Sequence, residues 1–280
     1  MNFFSTLSTG VNTIIDTPTL TNSEFEQFRK MIYDTAGINL SDAKKTLISS
    51  RLAKRVKHFG LTSYAEYFKL VKNNVQDEYQ TAVDLLTTNE TFFFREPKHF
   101  DFLRDRVLPE WCSNPKRVWS AASSTGEEAY TLSMVLAEYS PTKAWEIVGT
   151  DISRRVVEQA CTGQYPMTRA EGIPPHYLSK YCLKGIGSQA GTFIVCEELR
   201  ARIKFLHANL KSDLSKLGNF DLIFLRNVLI YFDMETKQQV VTNLLRHLKR
   251  GGYLIVSHSE SLNGVTQDVN LVVPSTYRRH

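Results

Sequence analysis

The sequence predicts an α/β protein with a doubly wound, largely parallel sheet and a small inserted β-subdomain, preceded by a small all-α domain. Apolar residues recur at helical spacing from about residue 22 to residue 72. Beyond residue 115, short apolar runs such as RVWSA, WEIVGTD and FDLIFL alternate with helical segments. At roughly 100 to 200 residues per domain, the length of 280 residues suggests one large domain or two modest ones. We therefore expect a ligand crevice at the carboxyl ends of the strands.

Three helices are predicted in the N-terminal segment. Ser23 and Glu26 have the spacing of a capping box, Ser41 can cap a second helix, and Ser63 opens a third. Apolar residues at intervals of three and four follow each of these starts. The pattern is typical of a small all-helical domain in which each helix buries one face.

Changes in composition set the predicted domain boundaries. We expect a flexible N-terminus at residues 1–20 and a helical domain at residues 21–75. The polar run KNNVQDEYQ indicates a linker, which we assign to residues 76–88, and the α/β domain then occupies residues 89–280. A glycine-punctuated, β-rich stretch interrupts its rhythm and predicts the inserted β-subdomain at about residues 181–202.

The formal net charge of +5 is concentrated towards the N-terminus. Residues 22–72 hold ten lysines and arginines against five acids, an excess of five that equals the surplus of the whole chain. Lys54 and Arg55 follow Arg51 by three and four positions, so the three share one face of the second predicted helix. A basic face indicates an acidic partner, and a merely solvated face is the alternative.

No targeting or membrane segment is recognisable in the sequence. The first 20 residues lack a basic n-region, and no stretch reaches the roughly 18 to 20 apolar residues of a transmembrane helix. The four cysteines, Cys112, Cys161, Cys182 and Cys196, form no CxxC pair and have no histidine at zinc-site spacing. We therefore expect a soluble, cytoplasmic protein with reduced thiols and no metal site.

Two predicted strands end in residues suited to a nucleoside-type ligand. The first runs into SAASSTGEEAY, where small residues allow close backbone approach and Glu127 and Glu128 open the next helix. These acids argue against a phosphate and for a ligand with cationic groups, although acids also favour a helix N-terminus by themselves. Asp151 ends the second strand, where it either binds ribose hydroxyls or caps the following helix. A cationic ribose ligand without phosphate indicates S-adenosylmethionine and methyl transfer.

Two further stretches place charged residues after apolar runs. In TTNETFFFREP, Arg95 follows three phenylalanines, and an arginine there either reaches water or meets an anion at a dry site. In FLRNVLIYF, Arg226 and Asn227 end an apolar strand and Tyr231 follows four residues on. Tyr231 is either a packed tyrosine or part of a site. Both stretches are candidates for the crevice.

Six motifs, taken in their order along the chain, resemble the CheR family of chemotaxis receptor methyltransferases. They are TNETFFFRE, VWSAASSTGEEAY, TDIS, ANL, LRNVLIYFD and SHSES, and the resemblance covers nearly the whole chain from about residue 20. Members of this family methylate glutamate side chains of bacterial chemoreceptors with S-adenosylmethionine, which leaves S-adenosylhomocysteine. The resemblance implies a Rossmann-like S-adenosylmethionine-dependent methyltransferase domain and a protein-glutamate O-methyltransferase activity in chemotaxis signal transduction.

The resemblance also implies roles for individual residues. It places Arg95 opposite the carboxylate of the cofactor, with the phenylalanines excluding water around it, and Tyr231 beside the methyl group. We expect Arg226 and Tyr231 to orient the substrate carboxylate. Together with Arg95, they are the predicted catalytic residues. The predicted cofactor-binding residues are Asn89, Thr91, Arg95, Glu128, Asp151, Asn209, Leu210, Arg226 and Asn227.

The partner implied by the resemblance is the cytoplasmic helical bundle of a chemoreceptor. The basic face of Arg51, Lys54 and Arg55 is assigned to this bundle. Gly185 and Gly187, in KGIGSQAG, resemble the loop with which some family members hold the receptor's C-terminal peptide as an extra strand, and a bare hairpin turn is the alternative. We expect a monomer that is recruited to membrane receptor arrays without inserting into the membrane.

Two other functions fit parts of the sequence. A basic domain on a methyltransferase fold also suits a nucleic-acid methyltransferase, but the chain has no NPPY-type or DPPY-type tetrapeptide and no PC dipeptide. A non-catalytic adaptor that binds receptor or cofactor is the second alternative. The intact set of Arg95, Asp151, Arg226 and Tyr231 argues against a degenerate site, so glutamate methylation without nucleic-acid binding is the preferred interpretation.

Overall fold

The computed structural model describes residues 18–112 and 115–280 of the chain. The segment predicted to be a flexible N-terminus, residues 1–20, therefore lies almost wholly outside the described residues. Within the described ranges, no helix combines the length and the apolar character that crossing a membrane requires.

The chain divides into two compact units. The smaller contains the residues up to Phe28 together with Ser41–Ala82, and the larger contains Arg29–Leu40 and Val83–His280. The division between them falls within the first and the fourth helix. The four helices of this part of the chain are α1 (Asn22–Ala36), α2 (Lys45–His58), α3 (Tyr64–Lys72) and α4 (Glu78–Leu86).

Aromatic and aliphatic side chains form the core of the smaller unit. Phe28 packs against Tyr67 and Phe68, with ring centroids 6.1 and 5.0 Å away. The helical periodicity read from the sequence is confirmed, because the apolar stripe of α2 is buried as predicted. This stripe consists of Ile48, Leu52 and Val56.

The helix starts agree only in part with the predicted caps. Ser63 Oγ accepts the backbone N–H three residues later at 3.2 Å, as predicted for α3. α1 instead begins with a capping box two residues before the predicted Ser23 pair, in which Glu24 N–H donates to Thr21 Oγ1 and Thr21 N–H donates to Glu24 Oε2. One turn of 3-10 helix separates Ser41 from α2.

The segment predicted to be a linker, residues 76–88, contains helix α4. Ala82 is fully buried, and Glu78 is only 1 % exposed. The polar composition predicted a linker because the sequence does not show that the charge of Glu78 is balanced by Arg55 within the smaller unit. Its carboxylate accepts hydrogen bonds from Arg55 Nε at 3.1 Å and from Tyr67 Oη at 2.7 Å.

Only one of the three predicted partner-binding residues on α2 is exposed. Lys54 is exposed and Arg51 is half-buried. Arg55 forms a two-nitrogen ion pair with the buried Glu78, and this hydrogen bonding raises the pKa of Arg55 against the effect of its partial burial. Arg55 therefore joins α2 to α4, and its role in partner binding stays a prediction.

The larger unit carries the α/β pattern. Its helices are α5 (Lys98–Phe102), α6 (Glu127–Tyr139), α7 (Arg154–Thr162), α8 (Pro175–Tyr181), α9 (Glu197–Arg200) and α10 (Met234–His247). Its strands are β1 (Lys116–Ala121), β2 (Trp145–Asp151), β3 (Gln164–Pro166), β4 (Cys182–Lys184), β5 (Thr192–Val195), β6 (Ile203–His207), β7 (Phe220–Leu225), β8 (Leu248–Val256), β9 (Val269–Val273) and β10 (Thr276–Arg279).

The main sheet of the larger unit has seven strands in the order β6-β2-β1-β7-β8-β10-β9. The first five are parallel, and β10 is antiparallel to both β8 and β9. The direction of winding reverses between β1 and β7, so the topological switch point lies between these strands. The predicted doubly wound, largely parallel sheet is confirmed.

Helices cover both faces of this sheet, and the strand side chains alternate between two cores. In β7, Leu222 and Phe224 face the core that contains α6, whereas Ile223 and Leu225 face the core that contains α10. Burial on both faces explains why this strand is a continuous apolar run in the sequence.

The β-subdomain is a separate three-stranded antiparallel sheet in the order β3-β5-β4. It begins at Gln164, earlier than the predicted range of residues 181–202. The first strand was not predicted because QYP is too short to show a strand pattern. The sheet leaves β4 at one edge, followed by the glycine-containing loop.

We expect Arg55→Ala to destabilise the smaller unit, because it leaves the Glu78 carboxylate buried without its countercharge. Removing one partner of a buried ion pair costs about 3 to 5 kcal/mol of unfolding free energy. Urea denaturation followed by far-ultraviolet circular dichroism measures this loss. Lys57→Ala, at an exposed position of the same helix, is the matched control and should change the value by about 0.5 kcal/mol or less. Equal stability of the two variants would contradict a structural role for Arg55.

Candidate active site

Three loops of the larger unit meet at the carboxyl ends of β1, β2 and β7, beside the topological switch point. Ser124 Oγ donates to the Asn89 carbonyl at 2.8 Å, and Arg226 Nη2 donates to the Arg95 carbonyl. These bonds join the segment around Arg95 to two strand ends. The loops are named the FFR loop (residues 88–97), the β1 loop (residues 122–126) and the β7 loop (residues 226–233).

The backbone of these loops is strained. Nine described residues other than glycine have positive φ, and five of them lie in the three loops. Each costs of order 1 kcal/mol and persists only where its surroundings hold it. Such a concentration at one edge of the sheet is typical of a functional site. The five residues are Phe94, Glu96, Ala122, Ser124 and Asn227.

Asp151 ends β2 and is buried. Its carboxylate accepts the backbone N–H of Ser124 at 2.9 Å and that of Ser153 at 3.0 Å. Burial raises the pKa of Asp151, although these hydrogen bonds oppose the shift. In the flanking loops, the hydroxyls of Ser123 and Ser153 are buried without a hydrogen-bond partner among the described residues. The end of β2 therefore offers a carboxylate and two unpaired hydroxyls.

Arg226 lies buried between two carboxylates. Its Nη1 is 3.1 Å from Glu128 Oε2, and its Nη2 is 3.3 Å from Glu96 Oε2. Nη2 also donates to the Arg95 carbonyl. Both terminal nitrogens therefore already have protein partners, which indicates a role in holding the loops together. The predicted role of Arg226 in orienting a substrate carboxylate remains untested.

Glu128 is the acid of the GEE motif that faces Arg226. Ser120 Oγ donates to its Oε1 at 2.7 Å, and Arg226 donates to its Oε2. Burial raises the pKa of Glu128 against the opposing effect of the Arg226 charge. The neighbouring Glu127 instead accepts a hydrogen bond from Thr125 Oγ1 at 2.6 Å. Glu128, which the resemblance singled out, and Glu127 thus have different surroundings.

Glu96 is a site residue that the sequence analysis did not single out. Its carboxylate pairs with Arg226 and accepts hydrogen bonds from Asn227 Nδ2 at 3.2 Å, Ser257 Oγ at 3.0 Å and His258 N–H at 3.1 Å. Burial opposes its ionisation, but the Arg226 charge and these hydrogen bonds prevail and lower the pKa of Glu96 to about 2. The sequence signal that could have identified Glu96 is its position directly after Arg95, at the end of the aromatic run.

Arg95 is half-buried, and its three preceding phenylalanines do not enclose it as expected. Its Nη1 donates to the Glu90 carbonyl at 2.9 Å, and its guanidinium lies 5.4 Å from the Phe92 ring. Phe93 is fully buried in the core and Phe94 packs against it. Phe92 is 45 % exposed. Successive side chains of this strained loop point in different directions, so only one phenylalanine lies beside Arg95.

Two of the predicted cofactor residues follow β6. Ala208 N–H donates to the Asp151 carbonyl at 2.9 Å, which brings this segment to the end of β2. Asn209 Nδ2 donates to the Thr35 carbonyl at 2.6 Å, and Leu210 is buried. Asn209 is thus tied to the end of α1, and a contact of its side chain with cofactor stays a prediction.

The remaining predicted residues lie on the FFR loop and the β7 loop. Asn89, Thr91 and Tyr231 are half-buried. Asn89 Nδ2 donates to Thr87 Oγ1 at 3.2 Å. The Tyr231 carbonyl accepts the N–H of Asn39 at 2.8 Å. All three side chains are partly accessible, and their contact with cofactor or substrate stays a prediction.

Glu96, His99 and His258 bring three potential metal-ligand atoms within 4.8 Å of one another. The Glu96 carboxylate already pairs with the Arg226 guanidinium, and His99 Nε2 lies 2.7 Å from Ser275 Oγ. A divalent cation here would be close to the positive charge of Arg226, which disfavours its binding. We therefore interpret the three residues as part of a hydrogen-bonded network.

Gly185 and Gly187 are required by the loop that follows β4. A Cβ atom at Gly185 would lie 2.1 Å from the Gln189 carbonyl oxygen. Gly187 has a φ of +57°, a conformation that favours glycine. The turn itself therefore accounts for both glycines, and their contact with a receptor peptide stays a prediction.

We expect His99 to make stability fall in mild acid. Burial, together with the charges of Arg226 and His258, lowers the pKa of His99 from 6.5 to about 3. Below about pH 6.5 the unfolded chain takes up a proton that the folded protein does not, so the free energy of unfolding falls as the pH falls. The loss amounts to about 2 kcal/mol between pH 7.5 and pH 5.

Urea denaturation at these two pH values tests this effect with the variant His99→Gln. The variant should lose this part of the pH dependence, because glutamine does not titrate. His176→Gln, at an exposed position, should retain the wild-type dependence. An unchanged pH dependence in His99→Gln would show that His99 titrates normally in the folded protein.

Comparison with known proteins agrees with the division into a helical and an α/β part. The family model described as "CheR methyltransferase, all-alpha domain" matches residues 23–87, and that described as "CheR methyltransferase, SAM binding domain" matches residues 89–278. The helical match thus extends beyond the predicted boundary at residue 75.

Curated relatives are similar over nearly their whole length. The chain is 35% identical to the chemotaxis protein methyltransferase of Borreliella burgdorferi, over 93% of this chain and 95% of the relative. It is 36% identical to that of Escherichia coli, over 92% and 91%. It is 37% identical to chemotaxis protein methyltransferase 2 of Pseudomonas aeruginosa, over 92% and 93%. The chain therefore belongs to the CheR methyltransferase family, with both its all-α domain and its S-adenosylmethionine-binding domain.

Proposed function

We propose that this protein transfers the methyl group of S-adenosylmethionine to glutamate side chains of bacterial chemoreceptors, forming methyl esters during chemotaxis adaptation. The observation that carries the proposal is that hydrogen bonds join the segments carrying Asp151, Glu128 and Arg95 at the strand ends beside the switch point. Tyr231 lies on the β7 loop. The names of the curated relatives support the chemotaxis context.

The site residues fit S-adenosylmethionine, the cofactor of the family. Burial raises the pKa values of Glu128 and Asp151, so cationic groups and hydroxyl donors would stabilise their charged forms. The unpaired hydroxyls of Ser123 and Ser153 add polar groups at the end of β2. When bound, the cofactor supplies a methyl group made electrophilic by its sulfonium.

The residues divide the binding of this cofactor between them. Asp151 would accept hydrogen bonds from the ribose hydroxyls, Glu128 would face the ammonium group, and Arg95 would pair with the carboxylate. Arg226 acts by holding the FFR loop, through its bond to the Arg95 carbonyl. The other residues that we propose to line this pocket are Asn89, Thr91, Asn209, Leu210 and Asn227.

The reaction needs positioning more than activation. A glutamate carboxylate is ionised at neutral pH and is already a nucleophile, so no serine or cysteine nucleophile is required. Tyr231 is the residue that we propose to orient this carboxylate, because Arg226 has both terminal nitrogens bound within the protein. Exclusion of water from the crevice then strengthens the attraction between the reacting groups.

The acidic helical bundle of the receptor is the partner that we propose for α2. Lys54 is exposed on this helix, and Arg51 lies one turn away on the same face. Arg55 contributes its charge while remaining paired with Glu78. Electrostatic attraction of this kind accelerates encounter with an acidic surface and recruits the protein to receptor arrays.

A free strand edge offers a second contact with the receptor. β4 is an edge strand. Its central residue Leu183 is 63% exposed, and Ile186 in the following loop is 83% exposed. Edge strands present unpaired backbone groups to which an extended peptide can add. We propose that the receptor's C-terminal peptide pairs with β4.

We expect transfer of labelled methyl from S-adenosylmethionine to receptor-containing membranes, and mild base should release the label because methyl esters hydrolyse readily. Tyr231→Phe should lower kcat about tenfold or more, since it removes only the hydroxyl that positions the carboxylate. Tyr139→Phe, at an exposed tyrosine, is the matched control and should leave kcat unchanged.

Other outcomes of this assay would contradict the proposal. Cofactor binding without any label on receptor would favour a non-catalytic adaptor or another acceptor. Label on RNA or DNA, with binding that weakens steeply with salt, would favour the nucleic-acid methyltransferase. Wild-type kcat in Tyr231→Phe would leave methyl transfer intact but remove Tyr231 from the reaction.

The substitution Lys184→Pro tests pairing of the receptor peptide with β4. Cys196 N–H bonds to the Tyr181 carbonyl and Gly185 N–H to the Thr192 carbonyl, so the intervening Lys184 N–H faces the free edge. Proline removes this donor and should weaken binding of a receptor C-terminal peptide about fivefold, measured by calorimetry.

Lys184→Ala removes the same side chain but keeps the N–H, and it is the matched control for this experiment. We expect its affinity for the peptide to stay within about twofold of wild type. Equal affinities of the proline variant and the alanine variant would contradict pairing at this edge, as would failure of the wild-type protein to bind the peptide.

A further inference from the structure

We propose that Glu96 is a positioning residue of the methyltransferase site, which orients Arg95 through Arg226 and through the backbone of the FFR loop. The inference rests on the proposed contact of Arg95 with the carboxylate of the cofactor. Glu96 itself touches neither the methyl group nor the acceptor in this scheme.

The carboxylate of Glu96 connects three separate parts of the larger unit. Its Oε2 meets Arg226 Nη2 at 3.3 Å and His258 N–H at 3.1 Å. Its Oε1 accepts Asn227 Nδ2 at 3.2 Å and Ser257 Oγ at 3.0 Å. The FFR loop is thereby fastened to residues that directly follow β7 and β8. One side chain thus bonds this loop to both strand ends.

The ion pair with Arg226 extends this connection to Arg95. Arg226 spans Glu96 on one side and Glu128 on the other, and it donates to the Arg95 carbonyl from the nitrogen that faces Glu96. Loss of the Glu96 charge would release that nitrogen. The guanidinium would then be free to turn towards Glu128, and the bond to the Arg95 backbone would be lost.

The backbone on both sides of Arg95 needs such support. Phe94 has a φ of +55° and Glu96 a φ of +57°, and each conformation costs roughly 1 kcal/mol for a residue other than glycine. The strain directs the Arg95 side chain only while the bonds of Glu96 and Arg226 hold the loop. Without these bonds the loop would relax, and the Arg95 side chain would no longer be held in one orientation.

The test is the substitution Glu96→Gln, read out as the dissociation constant of S-adenosylhomocysteine in calorimetry. Glutamine keeps the size of the side chain, but its amide group has one acceptor oxygen and cannot serve the donors on both sides. We expect affinity to fall at least about tenfold, as for loss of hydrogen bonds to a charged group. Unchanged affinity would overturn the proposal.

A double-mutant cycle separates positioning of Arg95 from a general structural effect. In the background of Arg95→Ala, Glu96→Gln should change the affinity less than about twofold, because the residue it orients is absent. If the two losses simply add, Glu96 acts on the site without Arg95 and the proposal fails.

Two further variants complete the test. Glu90→Gln removes the same charge from an exposed side chain of the FFR loop and should leave affinity within about twofold. An equal loss in this variant would show that charge alone, and not position, matters. If Glu96→Gln does not fold, Glu96→Asp retains the charge on a shorter side chain. Reduced affinity in that variant supports positioning, and wild-type affinity overturns it.

This binding readout needs no methyl acceptor, so it is independent of the proposed receptor substrate. Label missing from receptors together with the expected coupling in the cycle would reject the proposed acceptor and retain the role of Glu96. Label present on receptors together with additive losses would do the opposite.

Discussion

The buried charge of Arg226 is the constraint on which the rest of the site depends. A guanidinium stays protonated in a protein interior, so anions must lie beside it. Glu128 comes from α6 and Glu96 from the FFR loop, and both contact Arg226 at the end of β7. Neutralising one charge thus draws a helix, a loop and a strand end to one point of the sheet edge.

The same group of charges explains why a cationic cofactor suits this crevice. When both are ionised, Glu96 and Glu128 carry one more negative charge than Arg226 can balance, and Asp151 is a further buried carboxylate at the end of β2. Phosphate would be repelled by such a site, whereas a sulfonium and an ammonium group are attracted. The argument that first came from the acids of the GEE motif is therefore supported by the tertiary arrangement, and Arg95 is the group that we propose to balance the ligand carboxylate.

The second half of α1 belongs to the larger unit because its residues bond to the loops of the candidate site. Tyr33 Oη donates to the Asp233 carboxylate at 2.6 Å, and Asn39 N–H donates to the Tyr231 carbonyl. Asn209 bonds to the Thr35 carbonyl in the same segment. This stretch supports the turn that carries Tyr231 and the loop after β6. A boundary drawn at the end of the helical pattern would separate Tyr231 from its support.

The sequence by itself determined the fold class and predicted which strand ends carry the candidate site, because helical and strand periodicities are local and the motifs follow one another along the chain. Only the tertiary structure decided which charges meet. Glu96 and His258 are 162 positions apart, and no local pattern announces their bond. Likewise, pairing with Arg55 allows Glu78 to be buried, so a polar run that resembled a linker forms helix α4. Pairing across such distances depends on packing, which a pattern of neighbouring residues does not contain.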